Sequence, residues 1–333
     1  MSKNLTIIVP IYNPAIPISS ILNNLYKQKS QNFDVVITID RPKDEHFFEI
    51  DELQLKFKDR LKVIFNTSHQ HIDLVIKQAL NLVKTPYIFI LYSYCHIKSE
   101  FVQRIDNFLN NEKTKPDFVE LPGSIKGVPF FGTKLNNNFN SQVINLKDNK
   151  EPFVFVTPFV FNYFVKTNIA LEIFSKPKIK ESNLEYSPNF VYRSLLESQT
   201  FAFFEGTWVE NLNYSFVTFN PKSLTRCWNS VFSCFSDIDQ ETKEALEFAM
   251  FMNYCYYISG FIGIFKTKKG TLASKSLNNI KAALLKEIET LKPKWEEQIK
   301  NNSYFSRFSI TNLKKLTNDF KTKWELIFKK FTW

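Results

Sequence analysis

Glycine is scarce in this chain, with seven residues in 333. None of them builds a G-x-x-x-x-G-K-S/T or G-x-G-x-x-G string, so the glycine-rich loops that cradle phosphates are excluded. Cysteine is scarcer still. Cys95, Cys227, Cys234 and Cys255 contain no C-x-x-C pair, which argues against a zinc knuckle or a disulfide scaffold and leaves a reduced, cytosolic compartment as the expectation. The apolar run Leu5–Pro10 is short, interrupted by proline and followed by no small-residue cleavage site, so it does not read as a secretion signal. Acid is missing from one region in particular. Residues 1–265 hold 27 Lys and Arg against 27 Asp and Glu, whereas residues 266–333 hold 16 against six. The whole net charge of +10 therefore belongs to the last fifth of the chain, the mark of a tail that meets something anionic.

What is present reads as globular. Hydrophobic residues make up 44% and charged residues 23% of a chain long enough for one large or two ordinary domains. The 35 phenylalanines accompany many Asn and Lys, a bias that AT-rich coding produces, and carry no functional weight.

Four apolar runs, Leu5–Pro10, Phe33–Ile39, Leu61–Phe65 and Tyr87–Leu91, read as buried strands. Ile18–Lys27 and Ile72–Val83 between them have helical spacing. Strand and helix in alternation predict a parallel sheet with helices on both faces. Ligands bind at the carboxyl ends of such strands, which gathers Tyr12–Pro14, Asp40–Asp44, Asn66–His71 and Tyr92–His96 around one crevice. Residues 110–150 read as polar loops with short strands, Pro152–Val165 as a β-favouring stretch, Asn189–Gln199 as a helix and Thr200–Phe204 as a strand. From Asp239 the chain reads as helical, interrupted at Gly260–Gly270 and at Pro293, with no internal repeat.

Five segments in order resemble the family 2 glycosyltransferases. Thr6-Ile-Ile-Val-Pro-Ile-Tyr-Asn13 is similar to that family's opening strand, and Asp40, with Asp44 after it, stands where the family has its base-binding aspartate turn. Tyr87–Ile97 resembles the strand leading to the metal-binding D-x-D motif. Asn162–Lys166 is similar to an N-K-L-F-K segment, and Asn213–Phe216 with Ser223–Arg226 to a Y-x-Y-R…S-x-T-R stretch. The resemblance implies an α/β, GT-A-like fold: a mostly parallel sheet flanked by helices over residues 1–235, with a helical, basic C-terminal extension over 236–333. It implies a transferase that moves a sugar from a nucleotide donor, most readily a UDP-sugar, to a lipid or polysaccharide acceptor. The alternative is a degenerate homologue that serves as a binding or scaffolding partner of an active enzyme. Pro10, Tyr12, Asn13, Asp40, Lys77, Tyr92, Tyr94 and Arg226 are the implied nucleotide contacts, and no nucleic acid is expected.

The chain departs from the family where metal and base chemistry are concerned. Tyr92-Ser93-Tyr94 replaces D-x-D, and no carboxylate lies between Leu91 and Lys98. Phenols and a hydroxyl are poor ligands for manganese or magnesium, so no metal is expected there, and Lys77 and Arg226 are candidates to meet a diphosphate instead. Ile76-Lys77 replaces an Arg-Asn pair, and Ser187-Pro188 stands at the position of the acidic acceptor-side motif, which leaves Glu185 as the nearest candidate general base. Asp40 suits base recognition but equally a turn cap. His69, His71, Cys95 and His96 lack the regular spacing of a zinc site and read as loop residues.

Phe248–Phe265 is the most apolar helical stretch and reads as a buried or interfacial helix. Beyond it, two amphipathic patterns appear: Leu277, Ile280, Leu284, Ile288, Leu291 and Trp295, then Leu313, Leu316, Phe320, Trp324, Ile327, Phe328 and Phe331. With lysine-rich opposite faces they suit either packing on the α/β unit or an anionic membrane surface. The expected location is cytoplasmic, peripheral at the inner face of the membrane.

Overall fold

The computed structural model describes residues 3–12, 17–113, 115–125, 142–175, 186–211, 220–234, 237–258 and 269–307. Its first half follows the predicted alternation. Strands β1 (Leu5–Tyr12), β2 (Phe33–Asp40), β3 (Leu61–Asn66) and β4 (Tyr87–Ile90) are joined through helices α1 (Ile18–Tyr26), α2 (Asp44–Phe57) and α3 (Ile72–Leu80). They pair in parallel in the order β3-β2-β1-β4. α1 packs on α2, whereas α3 lies against β1 and β2 and packs on α6 (Thr167–Ser175). Covered on both faces, β1 and β2 have no polar side to show, which is why they read as unbroken apolar runs.

The strand order reverses at β1. The chain moves outward through β2 and β3, then returns to place β4 on the other side of β1. This switch point opens the crevice between the carboxyl ends of β1 and β4.

β1 runs two residues past Pro10, where the sequence predicts its end. The Ile8 carbonyl accepts from Leu91 N–H on the β4 side. Pro10, two residues on, faces the same side where β4 has already stopped, and its pairing with Thr38 on β2 is kept. The missing N–H therefore costs no ladder bond.

Beyond α4 (Phe101–Asn111) the sheet becomes mixed. β9 (Tyr163–Lys166) is antiparallel to both β4 and β6 (Phe118–Glu120). β10 (Thr200–Phe203) is parallel to β6, and β8 (Val143–Asn145) closes the edge antiparallel to β10. β5 (Cys95–Ile97), β7 (Gly123–Ile125) and β11 (Val209–Asn211) form a second sheet in the order β5-β11-β7. Pro152–Val165 is only partly the stretch the sequence predicts. Glu151–Phe155 forms α5, begun by Pro152 in its first turn and by Asn149 accepting from Glu151 N–H, and only Tyr163–Val165 is strand. The helix predicted over Asn189–Gln199 is α7 (Pro188–Leu196), and α8 is Pro221–Ser233.

The C-terminal helices share the hydrophobic core of the α/β unit. α9 (Gln240–Met252) begins where the sequence predicts, because the Asp239 carboxylate caps it, accepting from Thr242 N–H at 2.9 Å. α9 passes into a π-helical turn, Asn253–Ile258, where the fully buried Asn253 donates to the Tyr192 hydroxyl and the Ala249 carbonyl. α10 (Leu272–Asn301) is a single helix, with α11 (Ser303–Arg307) after it. Pro293 does not interrupt α10 as the sequence predicts. The proline sits on the exposed side, where the carbonyl it frees can be hydrated. The apolar stripe of α10 faces inward. Leu277, Leu284, Ile288 and Trp295 are buried, with Trp295 against Phe251 and Tyr254. Between packing and a bilayer, this helix has taken packing. The second amphipathic pattern, 313–331, lies outside the described residues, as do residues 259–268. No helix among the described residues is long and apolar enough to cross a membrane.

Candidate functional site

The carboxyl ends of β1, β2 and β3 bring together Tyr12, Asp40 and Asn66, and the loop after β3 folds back over them. Asp40 ends β2 almost completely buried, and its burial is met by donors. Oδ1 accepts from Asn66 Nδ2 at 2.7 Å, and Oδ2 accepts from the Gln70 backbone N–H at 2.9 Å. His69 Nδ1 lies 3.2 Å from Oδ2. Asn66 is itself held by Gln78 of α3, its Nδ2 lying 3.2 Å from Oε1. Arg41 follows in the left-handed region at φ 52°, its N–H bonded to the Asn66 carbonyl, so β2 turns sharply at its carboxyl end. A left-handed non-glycine residue costs about 1–3 kcal/mol, and such strain gathers at functional turns. The ring of Tyr12, more than half exposed, packs against the half-exposed His69 at 4.2 Å between centroids, the two planes tilted by 36°.

Across the switch point, Tyr92 and Tyr94 stack on one another, 5.4 Å apart and within 3° of parallel. A turn closed by Cys95 N–H to the Tyr92 carbonyl holds them, and Tyr92 is buried. This is the turn at which the D-x-D motif would hold a divalent ion. The groups present do not fit one: a buried phenol packed on a second phenol supplies no anionic oxygen, and hard divalent ions take carboxylates and carbonyls. No group of three or more His, Cys, Asp and Glu suited to a metal occurs among the described residues.

The remaining predicted contacts are dispersed. Pro10 is buried within β1 and serves the sheet. Lys77 is exposed on α3 and makes no hydrogen bond to the Asp40 cluster. Arg226 is exposed on α8 and donates to Ser223 Oγ one turn earlier, at 3.1 Å. Asn13 and Glu185 lie outside the described residues. Ser187, next in line, caps α7 by accepting from Phe190 N–H at 3.0 Å, which accounts for a serine at the start of this helix.

Sequence reasoning missed two groups. His69 reads as an ordinary loop histidine, yet it is folded onto both Tyr12 and Asp40. Glu120 ends β6 on the same edge of the sheet as the end of β4, because β9 is antiparallel to both. It is fully buried, and its Oε1 accepts from Thr157 Oγ1 at 3.1 Å and the Tyr163 hydroxyl at 3.2 Å. Its signal was the one that marked Asp40, an acid closing a short apolar run. Nearby, burial pushes the Tyr192 phenol up; the hydrogen bond from Asn253 opposes this and the Glu120 carboxylate adds to it.

No family model and no curated protein matches the sequence. Solved structures match the fold. S. aureus TarS 1–349 in complex with UDP-GlcNAc aligns with a TM-score of 0.60 at 16% identity, over 85% of this chain and 80% of that one. Its complex with UDP aligns at 0.60 and 14% identity, over 90% and 88%. The mannosyltransferase PcManGT from Pyrobaculum calidifontis, in complex with GDP-Man and Mn2+, aligns at 0.54 and 10% identity, over 98% and 88%. The match to the longer TarS structure covers 49% of its length. The chain thus has the GT-A-like fold of nucleotide-sugar glycosyltransferases.

Proposed function

We propose that this protein is a glycosyltransferase that takes a sugar from a nucleotide donor, a UDP-sugar in the first instance. The observation that carries this reading is the Asp40 cluster: a buried carboxylate at the switch-point edge, with an exposed tyrosine beside it. A nucleobase imide N–H is a donor for such a carboxylate, and the tyrosine offers a face for the base. The structural neighbours hold UDP-GlcNAc, UDP and GDP-Man, which supports the same donor class. Transfer proceeds without a divalent ion at Tyr92–Tyr94, with basic side chains meeting the diphosphate, and the acceptor is a lipid or polysaccharide. The nucleotide-sugar unit is residues 1–235, and residues 236–333 are an extension to it, helical over α9 to α11.

A calorimetric titration with UDP, with and without manganese, tests this. Asp40→Ala is expected to weaken binding about tenfold or more, as loss of a hydrogen bond to a charged group does. Unchanged heats in that variant refute the assignment of Asp40. Transfer activity is expected to survive EDTA, and strict manganese dependence with the ion held at Tyr92–Tyr94 contradicts the metal-free reading.

One observation favours a second reading, a binding or scaffolding homologue. Both acidic motifs are replaced, by Tyr92-Ser93-Tyr94 and by Ser187-Pro188. UDP binding without turnover of any UDP- or GDP-sugar identifies that case.

A further inference from the structure

We propose that His69 is an internal stand-in for the nucleobase, and that a nucleotide must displace it to reach Asp40. This rests on the nucleotide reading above. The imidazole makes from within the chain the two contacts a pyrimidine would make from outside. Its ring packs against the Tyr12 ring at 4.2 Å, tilted by 36°, and its Nδ1 lies 3.2 Å from Asp40 Oδ2, within reach as a donor. A base inserted between two rings needs them about 7 Å apart, twice the contact distance of stacked carbon atoms. At 4.2 Å, Tyr12 and His69 leave no such gap.

Asp40 offers no other way in. Its side chain is 3% exposed, with Oδ1 engaged by Asn66 and Oδ2 by Gln70 N–H. His69, in contrast, is half exposed and sits on the loop between β3 and α3. Turning its ring out to solvent uncovers the carboxylate and the tyrosine together, without moving a strand. The backbone N–H of Gln70 stays on Oδ2, so the carboxylate keeps its orientation while one acceptor position becomes free.

A tethered surrogate lowers apparent affinity by the fraction of molecules in which it has let go. With the closed form at about nine-tenths, His69→Ala is expected to tighten UDP binding about tenfold. Uridine should gain by the same factor and pyrophosphate by none, because the competition is for the base alone. His69→Phe keeps a ring on Tyr12 but removes the N–H, and should fall between wild type and His69→Ala.

Calorimetry with UDP, uridine and pyrophosphate on wild type, His69→Ala and His69→Phe measures these factors. Proton NMR supplies a second readout. The chain has four histidines, and the His69 ring protons, identified by their loss in His69→Ala, should lie upfield beneath Tyr12 and move downfield when uridine is added. If wild type binds uridine and His69→Ala binds it equally or more weakly, the stand-in idea fails while the nucleotide site survives. If uridine binds and the His69 signals do not move, or if pyrophosphate gains as much as uridine, the idea fails in the same way. If UDP and uridine bind none of the three proteins, the nucleotide reading falls and takes the inference with it.

Discussion

A charge removed from water needs donors or acceptors around it, and Asp40 and Arg193 meet that need very differently. Asp40 is surrounded by Asn66, Gln70 N–H and His69. Arg193, on α7, is fully buried, and its Nε, Nη1 and Nη2 have no hydrogen-bond partner among the described residues. Replacing a buried charge by an apolar side chain of similar length is commonly neutral or stabilising by about 1–4 kcal/mol. Arg193→Met should therefore leave the urea midpoint unchanged or raise it. A loss beyond about 2 kcal/mol, the scale of a broken charged hydrogen bond, would show that the guanidinium is paired in solution. Asp40 and Tyr12 were legible in the sequence because each closes an apolar run, where a polar or exposed residue has a reason to stand. His69 was not. A histidine in a polar loop looks the same whether it faces water or lies on a neighbouring strand end. Lys77 and Arg226 follow from the resemblance and from their charge, and neither says which way a helix turns its face.

At the scale of elements, Asp117 joins three strands at their ends. Its Oδ2 accepts from Gln199 and Thr200 N–H at 2.7 and 3.0 Å, and Oδ1 lies 2.6 Å from Lys166 Nζ. Burial acts to raise its pKa, but Lys166 and the two N–H groups outweigh burial and hold the carboxyl below the usual aspartate range. A depressed value in the folded state means stability that is present above the unfolded value, near about 4, and lost as pH falls through the folded one. Asp117→Asn should cost about 2 kcal/mol at neutral pH and much less near about pH 2. Urea denaturation at both pH values measures this, and an equal cost at each refutes it. Pro293 gives a second test. Proline inside a helix costs about 3 kcal/mol relative to alanine, so Pro293→Ala should raise the thermal midpoint. Unchanged stability would mean that α10 is already distorted to suit it. The parallel half of the sheet was legible because its strands are long apolar runs with clear stops. α5 was not, since Pro152–Val156 is apolar throughout and has no period to read. β6 is one of the short strands expected within 110–150, but three residues in a polar region carry too little pattern to place it, and Glu120 escaped notice with it.

Across the whole molecule, the basic surplus of residues 266–333 is +3 over residues 266–269, +2 on α10, whose apolar stripe is buried, +1 at Arg307 and +4 beyond it. Any attraction of α10 to a membrane therefore rests on its lysines alone. Each lysine near an anionic surface contributes about 1 kcal/mol, within a Debye length. The full chain should cosediment with anionic vesicles at low salt, and changing Lys314, Lys315, Lys321, Lys323, Lys329 and Lys330 together to Gln should release it. The same exchange at Lys275, Lys286, Lys294 and Lys300 should weaken binding less. Full-length protein that stays in the supernatant at low salt ends the expectation of an anionic membrane surface.

The placement of β9 sets an order on synthesis. β6 leaves the ribosome before β9 does, yet β6 can join β4 only through β9, which lies between them. A nascent chain that has released residues up to 125 can complete β3-β2-β1-β4, while the outer edge of β4 stays open and β6 waits without a partner. Open strand edges recruit other chains. Residues 121–162, between β6 and β9, are thus also an interval of exposure. Slow codons read before β9 has emerged should cost the cell soluble protein, whereas the same codons read after β9 has emerged and paired should not.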